Sequence, residues 1–459
     1  MGVFGVPPKT AGKMPTLPGN ITPITVSLVI SFVVNPISQS ALHQSLGLTQ
    51  HRWRFTQGSM KTLPLWLGLS LCAVNLHAAD WLHYRGAAQN GSSSETVAFP
   101  AAGPKELWRI QLGIGLSSMT IQGNRLFTAG FKDGKEVLYC IDTTSGKIVW
   151  SHEWTAILGD NLFEGGPRVT PTIDGKHVYM VGNEGVVICV DAETGKPVWE
   201  KHLVKDFGGK RPEWGFSGAP TIHGNHLLLD CGGASSNLAL NKLTGELVWK
   251  SGTDQAGYAP VITAEFGGET VALFFKAKTV VGCDAATGQQ LWSHPFETNY
   301  DVNAAAPLVV GSQVLISAGY NHGSILLDLG KNPPEQLWFK KDLKAHFNSP
   351  VYLGGNVYGI DGNASPKSPL VCVDWKTGDL KWRTKEVQGG SLILAKDKLL
   401  ILTETGDLVL AETTPESYKE IARKNVLTGR CWVQPTLSNS VIYCRNNLGE
   451  LVAIELATK

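Results

Sequence analysis

The chain has 459 residues, with 40 Lys and Arg against 39 Asp and Glu, a formal net charge of +1, and 17% charged residues. Tracking a nucleic-acid backbone or docking on anionic lipid needs a concentrated excess of basic side chains, so neither is a partner. With 43% hydrophobic residues the chain has the apolar surface to offset its ordering entropy, and its 51 Gly and 14 Trp point to many tight turns and aromatic packing residues.

In chain order, the apolar run Ile21 to Val34 comes first. It is shorter than the ~20 residues a membrane-crossing helix needs and is soon followed by Pro36. From Met60 a basic start (Lys61), an apolar stretch (Leu63 to Leu76) and the small residues Ala78 and Ala79 before Asp80 resemble a secretory signal peptide. Residues 1–59 then read as a non-native upstream extension and 60–79 as the export signal. Residues 80–459 form one mature domain, periplasmic or secreted, monomeric and without a remaining membrane segment. Cys72 follows the bulky Leu71, which argues against lipidation. The remaining seven cysteines are an odd number, which argues against a full disulfide framework. Cys140, Cys189 and Cys372 each stand ten residues before a Trp and read as small buried apolar residues, whereas Cys431 and Cys444 are placed to lie on neighbouring strands and pair.

From residue 108 onward one pattern repeats. Asp142 to Trp150, Asp191 to Trp199, Asn241 to Trp249, Asp284 to Trp292 and Asp374 to Trp382 share the layout Asp/Asn-x-x-Ser/Thr-Gly-x-x-x-Trp, with Gly146, Gly195, Gly245, Gly288 and Gly378 four residues before the Trp. The leading side chain can accept from turn N–H groups and the Gly can take φ > 0, so each copy predicts a hairpin that presents a Trp on a strand. A damaged copy runs from Asp328 to Pro334 before Trp338, and a more altered one covers Leu408 to Leu427. Trp108, Trp150, Trp199, Trp249, Trp292, Trp338 and Trp382 are separated by 42 to 50 residues.

Each unit opens on a second recurrent element: Thr170-Pro171, Ala219-Pro220, Ala259-Pro260, Ala306-Pro307, Ser349-Pro350 and Gln434-Pro435, with less regular starts near Ser118 and Ser391. Proline lacks the ladder donor and suits a strand start. Short apolar strands at this period predict an all-β, eight-bladed β-propeller. The last unit stops before its Trp strand, while Glu106 to Ile110 is a Trp strand without a unit, so the N-terminal strand is expected to complete blade eight and remove an open edge.

These copies resemble the tryptophan-docking repeats of the pyrroloquinoline quinone (PQQ) repeat family over residues 80 to 459. Asp80-Trp81-Leu-His-Tyr-Arg85-Gly86, Gly165-Gly166-Pro167-Arg168-Val-Thr-Pro171 and Leu408 to Pro415 look like segments of secreted PQQ-like propellers. The resemblance implies the fold. For function it leaves open quinoprotein alcohol dehydrogenases, enzymes named for polyvinyl alcohol oxidation, and a cofactor-free propeller lipoprotein of outer-membrane protein assembly.

A quinoprotein needs a dry slot for a flat tri-anionic cofactor, a Ca²⁺ held by hard oxygens and a carboxylate base. The adjacent-cysteine pair that often flanks the quinone in that family is absent from this sequence, as is Cys-x-x-Cys-His for haem. Metalloprotease, nucleophile-elbow and P-loop motifs are also missing. Residues just before each first strand are expected to face the channel mouth: Glu164 and Arg168, Trp214, Tyr258, Asp301 and Asn303, His346 and Asn348, Arg430 and Trp432. Aromatic planes beside amides and Arg suit a planar or sugar-like ligand, and Glu164, Asp301 and Asn303 offer oxygens to a cation. The competing reading is that the same side chains satisfy backbone groups and plug the channel. Two functions follow: a binding or scaffolding platform for an envelope protein, peptide or carbohydrate with no cofactor, or a PQQ- and Ca²⁺-dependent alcohol dehydrogenase with Asp301 or Glu164 as base.

Overall fold

The computed structural model describes residues 80–159, 163–363 and 365–458, all within one compact unit spanning Ala73–Lys459. The upstream extension, the signal-like segment and Cys72 lie outside the described residues. Eight four-stranded antiparallel sheets follow one another as blades. Blade 1 spans Thr120–Gln122 to Ile148–Thr155, and the next six begin at Thr172, Thr221, Ile262, Leu308, Val351 and Ser391. Each predicted Pro stands immediately or one residue before its first strand, where no ladder bond is lost.

Burial falls from the inside of each blade outward. The third strand of blade 2, Val186–Asp191, is buried over its four central residues, whereas in the fourth, Pro197–His202, Trp199 alone is buried. Inner strands are covered on both faces, so they read as continuous Val, Ile and Leu runs; outer strands meet water and alternate.

The Trp of each outer strand docks on the next blade. Trp108, Trp150, Trp199, Trp249 and Trp338 donate Nε1–H to the carbonyls of Thr143, Ala192, Lys242, Ala285 and Trp375, each the residue after the motif's Asp or Asn, at 2.8 to 3.3 Å. The motif Gly lies beneath the ring: a Cβ on Gly288 would approach Trp249 to 2.3 Å, and its φ of +75° independently favours Gly. Asp142 Oδ1 accepts from Ser145 N–H at 2.9 Å and Asp191 Oδ1 from Thr194 N–H at 2.8 Å, which holds the turn in place. Two seams differ. Trp292 faces the damaged Asp328 to Pro334 turn and its Nε1 has no hydrogen bond among the described residues, and at the seam from blade 7 to blade 8 Ala422 occupies the Trp slot opposite Leu410.

Blade 8 closes the ring as expected. Its strands Thr436–Ser438, Val441–Arg445 and Glu450–Glu455 are completed by Lys105–Gln111, with Trp108 opposite Ala453. The expected Cys431–Cys444 pair is not formed: both are buried free thiols, because Cys431 lies in the loop before the first strand of blade 8 and Cys444 on its second strand. Burial pushes the Cys431 thiol up to about 12, so both behave as inert apolar groups.

Sequence reading did not anticipate the floor. Residues 80–98 cross the channel at the end that carries the turns between first and second strands. Asp80 accepts from Gly123 N–H of blade 1, Leu82 O from Ile173 N–H of blade 2, and Gln89 donates to Thr221 Oγ1 of blade 3. Ser92–Ser93 pairs in parallel with Leu394 and Ala395 of blade 7, and Glu95 accepts from Ser440 N–H of blade 8. Arg85 is 1% exposed and donates to the carbonyls of Ser349 and Asn90 at 2.8 and 2.7 Å, and to that of Pro350 at 2.5 Å. Burial lowers this guanidinium to about 10.

Candidate functional site

With one end of the channel closed, the other is a blind cavity of about 270 Å³ with Tyr84 of the floor segment among its lining residues. Its walls come from the loops that enter each first strand, which lead inward because the fourth strand ends at the rim and the first begins beside the axis. Adjacent blades are clasped around this ring. Ser118 Oγ donates to Gln434 O at 2.7 Å, Thr172 Oγ1 to Pro220 O at 2.7 Å and Ser391 Oγ to Trp432 O at 3.2 Å.

Of the residues named from sequence, Arg168, Trp214, Tyr258, His346, Asn348 and Trp432 line the cavity. Glu164 and Arg430 form a rim pair instead: Arg430 Nη1 lies 2.8 and 2.9 Å from the two Glu164 oxygens, and Asn447 Nδ2 donates to Oε2 at 3.1 Å. Burial would raise Glu164, but bonds from its own N–H, Asn447 and Arg430 outweigh it and hold the carboxyl below its usual range. Asn303 is turned away from any ligand. It is fully buried, its Nδ2 donates to Lys276 O and Ala277 O at 2.8 and 3.0 Å, and its Oδ1 accepts from Thr298 at 3.0 Å. Asp301 ends a 3₁₀ turn at Asn299–Asp301 with φ +55° and is not on the cavity wall.

The structure adds residues that the repeat pattern did not mark. Phe163, Phe347 and Tyr320 join the predicted rings into an arc: Trp214 to Phe163 at 6.4 Å, Phe163 to Trp432 at 4.8 Å, Trp432 to Phe347 at 5.2 Å, His346 to Tyr320 at 4.9 Å. Arg430 caps this arc, 4.7 Å from the Trp432 ring. Phe163 and Phe347 are sequence neighbours of Glu164 and His346, and that adjacency was the available signal. Trp432 Nε1, His346 Nδ1, Asn348 Oδ1 and Gln434 Oε1 are buried without a hydrogen-bond partner. Burial alone drives His346 down to about 4, so its ring is neutral at physiological pH.

Calcium takes six to eight oxygen ligands, typically about that number with several carboxylates. Here the cavity wall includes no Asp or Glu, Glu164 is engaged by Arg430, and no three His, Cys, Asp or Glu side chains converge among the described residues. A tri-anionic quinone would find one guanidinium, Arg168, among the lining residues. The donor set does not fit a calcium–quinone pair.

The family model described as outer membrane protein assembly factor BamB matches residues 93–166 and 134–384. Among solved structures the chain is similar to BamB from Moraxella catarrhalis, with 14% identity, TM-score 0.58, and coverage of 77% of this chain and 99% of that one. It is also similar to the quinohemoprotein alcohol dehydrogenase of Comamonas testosteroni, at 14% identity and TM-score 0.64 over 82% and 80% of the two chains. A europium-containing methanol dehydrogenase matches at 11% identity and TM-score 0.63 over 82% and 98%. No curated protein matches the chain in sequence. At these identities the structural likenesses establish the propeller and not an activity.

Proposed function

The chain belongs to the family described as outer membrane protein assembly factor BamB, and on that premise we propose that it is a non-enzymatic binding platform of the periplasm or cell envelope. Its blind channel mouth receives a small group presented by a ligand or partner. One observation carries this reading: the cavity wall is built of rings, amides and one guanidinium, with no Asp or Glu in it. Such a wall stacks and hydrogen-bonds a ligand but has no carboxylate to accept an alcohol proton. Arg430 and Glu164 at the rim, with exposed Phe163 beside them, offer the polar and aromatic surface that protein partners use. Export rests on the signal-like segment at residues 60–79.

Two measurements test the reading. The mature chain, incubated with PQQ and Ca²⁺ and assayed by dye reduction with several alcohols, is expected to show no turnover above blank; sustained turnover would replace this proposal with a quinoprotein dehydrogenase. N-terminal sequencing of the exported protein is expected to begin at Ala79 or Asp80, and a mature chain beginning before Met60 would defeat the export signal.

A further inference from the structure

Several cations around the mouth of the propeller are held in ion pairs. Arg430 meets Glu164, Arg211 meets Glu184 at 2.9 Å, Lys276 meets Asp230 at 2.6 Å, and Lys344 and Arg383 share Asp361 at 2.9 Å each. Arg168 forms no ion pair among the described residues. Its Nη1 donates to Asn183 Oδ1 at 3.0 Å and to Gly166 O at 3.5 Å. Its Nε and Nη2 donate to no protein atom among the described residues and are not sealed from solvent, since neither is a buried unpartnered atom. The nearby carboxyl of Glu136 makes no ion pair with it: its oxygens accept from Trp154 Nε1 and Asn183 N–H, and burial raises it to about 7.

We infer that the channel mouth binds a single carboxylate carried on a flat aromatic body, with Arg168 taking the carboxylate and the Trp214, Tyr258 and Trp432 rings taking the body. The argument is one of charge and shape. A guanidinium whose Nε–H and Nη2–H form one free edge matches the fork of a carboxylate, and a charged hydrogen bond in a part-dehydrated site is stronger than a neutral one. A second carboxylate would be stripped of water with no cation to meet it, which selects a monoanion over a di- or tri-anion. Aromatic walls favour ring stacking or edge contacts over an aliphatic chain, and a volume near 270 Å³ suits a small ligand. The carboxylate has two sources, a free aryl acid or the C-terminus of a peptide that ends in an aromatic residue.

This inference rests on the binding-platform reading, and its test separates the two. Calorimetric titration of the mature chain with phenylacetate, phenylacetamide and acetate is expected to rank phenylacetate at least tenfold tighter than either of the others. Arg168→Gln is expected to abolish the preference for the acid over the amide while leaving the melting temperature unchanged, and Arg168→Lys to restore part of it. Equal binding of acid and amide, or no loss in Arg168→Gln, overturns the inference. A short peptide ending in Phe with a free carboxylate, compared with its amidated form, assigns the source: discrimination as large as for phenylacetate supports a peptide terminus, and binding of the free acid alone supports a small molecule. If phenylacetate fails but an uncharged sugar or amide perturbs Trp432 fluorescence, the binding platform stands and the anion inference falls. Alcohol turnover with PQQ defeats the platform itself.

Discussion

The two ends of the channel satisfy buried polar groups to different degrees. At the floor, Arg85 is sealed and donates to carbonyls from its own segment and from blade 6, and the segment leaves two buried side-chain atoms without a partner, His83 Nδ1 and Glu95 Oε1. At the mouth, Arg168 has unused donors and His346, Asn348, Trp432 and Gln434 each hold a buried atom without a partner. Native interiors satisfy nearly all buried polar groups, so the denser cluster of exceptions at the mouth is what the proposed binding role would account for. The difference supports the proposed reading of the floor as architecture and the mouth as a binding site.

That contrast is open to direct attack. The largest effect is expected from deleting Lys105–Gln111, which exposes the edge of blade 8; soluble folded protein should be lost, and a circular dichroism melt matching the intact chain would contradict ring closure. Arg85→Ala should come next, lowering unfolding stability in urea by about 3 kcal/mol, because several carbonyls lose a charged donor inside a sealed floor. His346→Phe should act in the reverse direction. The folded imidazole titrates near 4 against an ordinary value of 6.5, so as pH falls through that window the unfolded chain takes up the proton first and stability drops. Removing the ring nitrogens should abolish this drop, a relative gain of about 2 kcal/mol at pH 4 over pH 7. Glu136 supplies the mirror image. Its folded carboxyl lies near 7 against an ordinary 4.5, so the folded chain holds its proton longer and stability falls as pH rises from 4.5 to 7. Glu136→Gln should flatten that slope, by about 3 kcal/mol at most. Smallest of all, Arg168→Ala should change stability by no more than about 0.5 kcal/mol in the ligand-free protein. A loss there as large as for Arg85 would erase the distinction between floor and mouth.

How far the sequence could be read follows the same division. Blade number, strand starts and ring closure were legible because the Asp-to-Trp turn is local: its side-chain bonds, its positive-φ glycine and its docking Trp all lie within one repeat and recur at a fixed period. The seam at Trp292 was legible too, in the broken turn from Asp328 to Pro334. The floor was not, since residues 80–98 carry no period and meet partners more than 200 residues away, such as Ser349 and Leu394. At the mouth, position alone found Asn348 and misjudged Asn303. Both precede a first strand, but the loop from Phe296 to Asn303 folds back on Lys276 and Ala277, so that amide serves the backbone. Which of two equivalent asparagines faces the channel depends on loop geometry that no repeat pattern encodes.

The closing strand Lys105–Gln111 has a consequence for how the molecule comes into being. It is made long before its partner, Glu450–Glu455, so the disc cannot shut until all eight blades have left the ribosome. The early strand must wait as an unpaired edge throughout synthesis, and blades 1 to 7 can assemble locally before it finds its place. A chain that stalls or is clipped before Glu450 therefore loses its latch, and removing that one strand is expected to be as damaging as the loss of a blade.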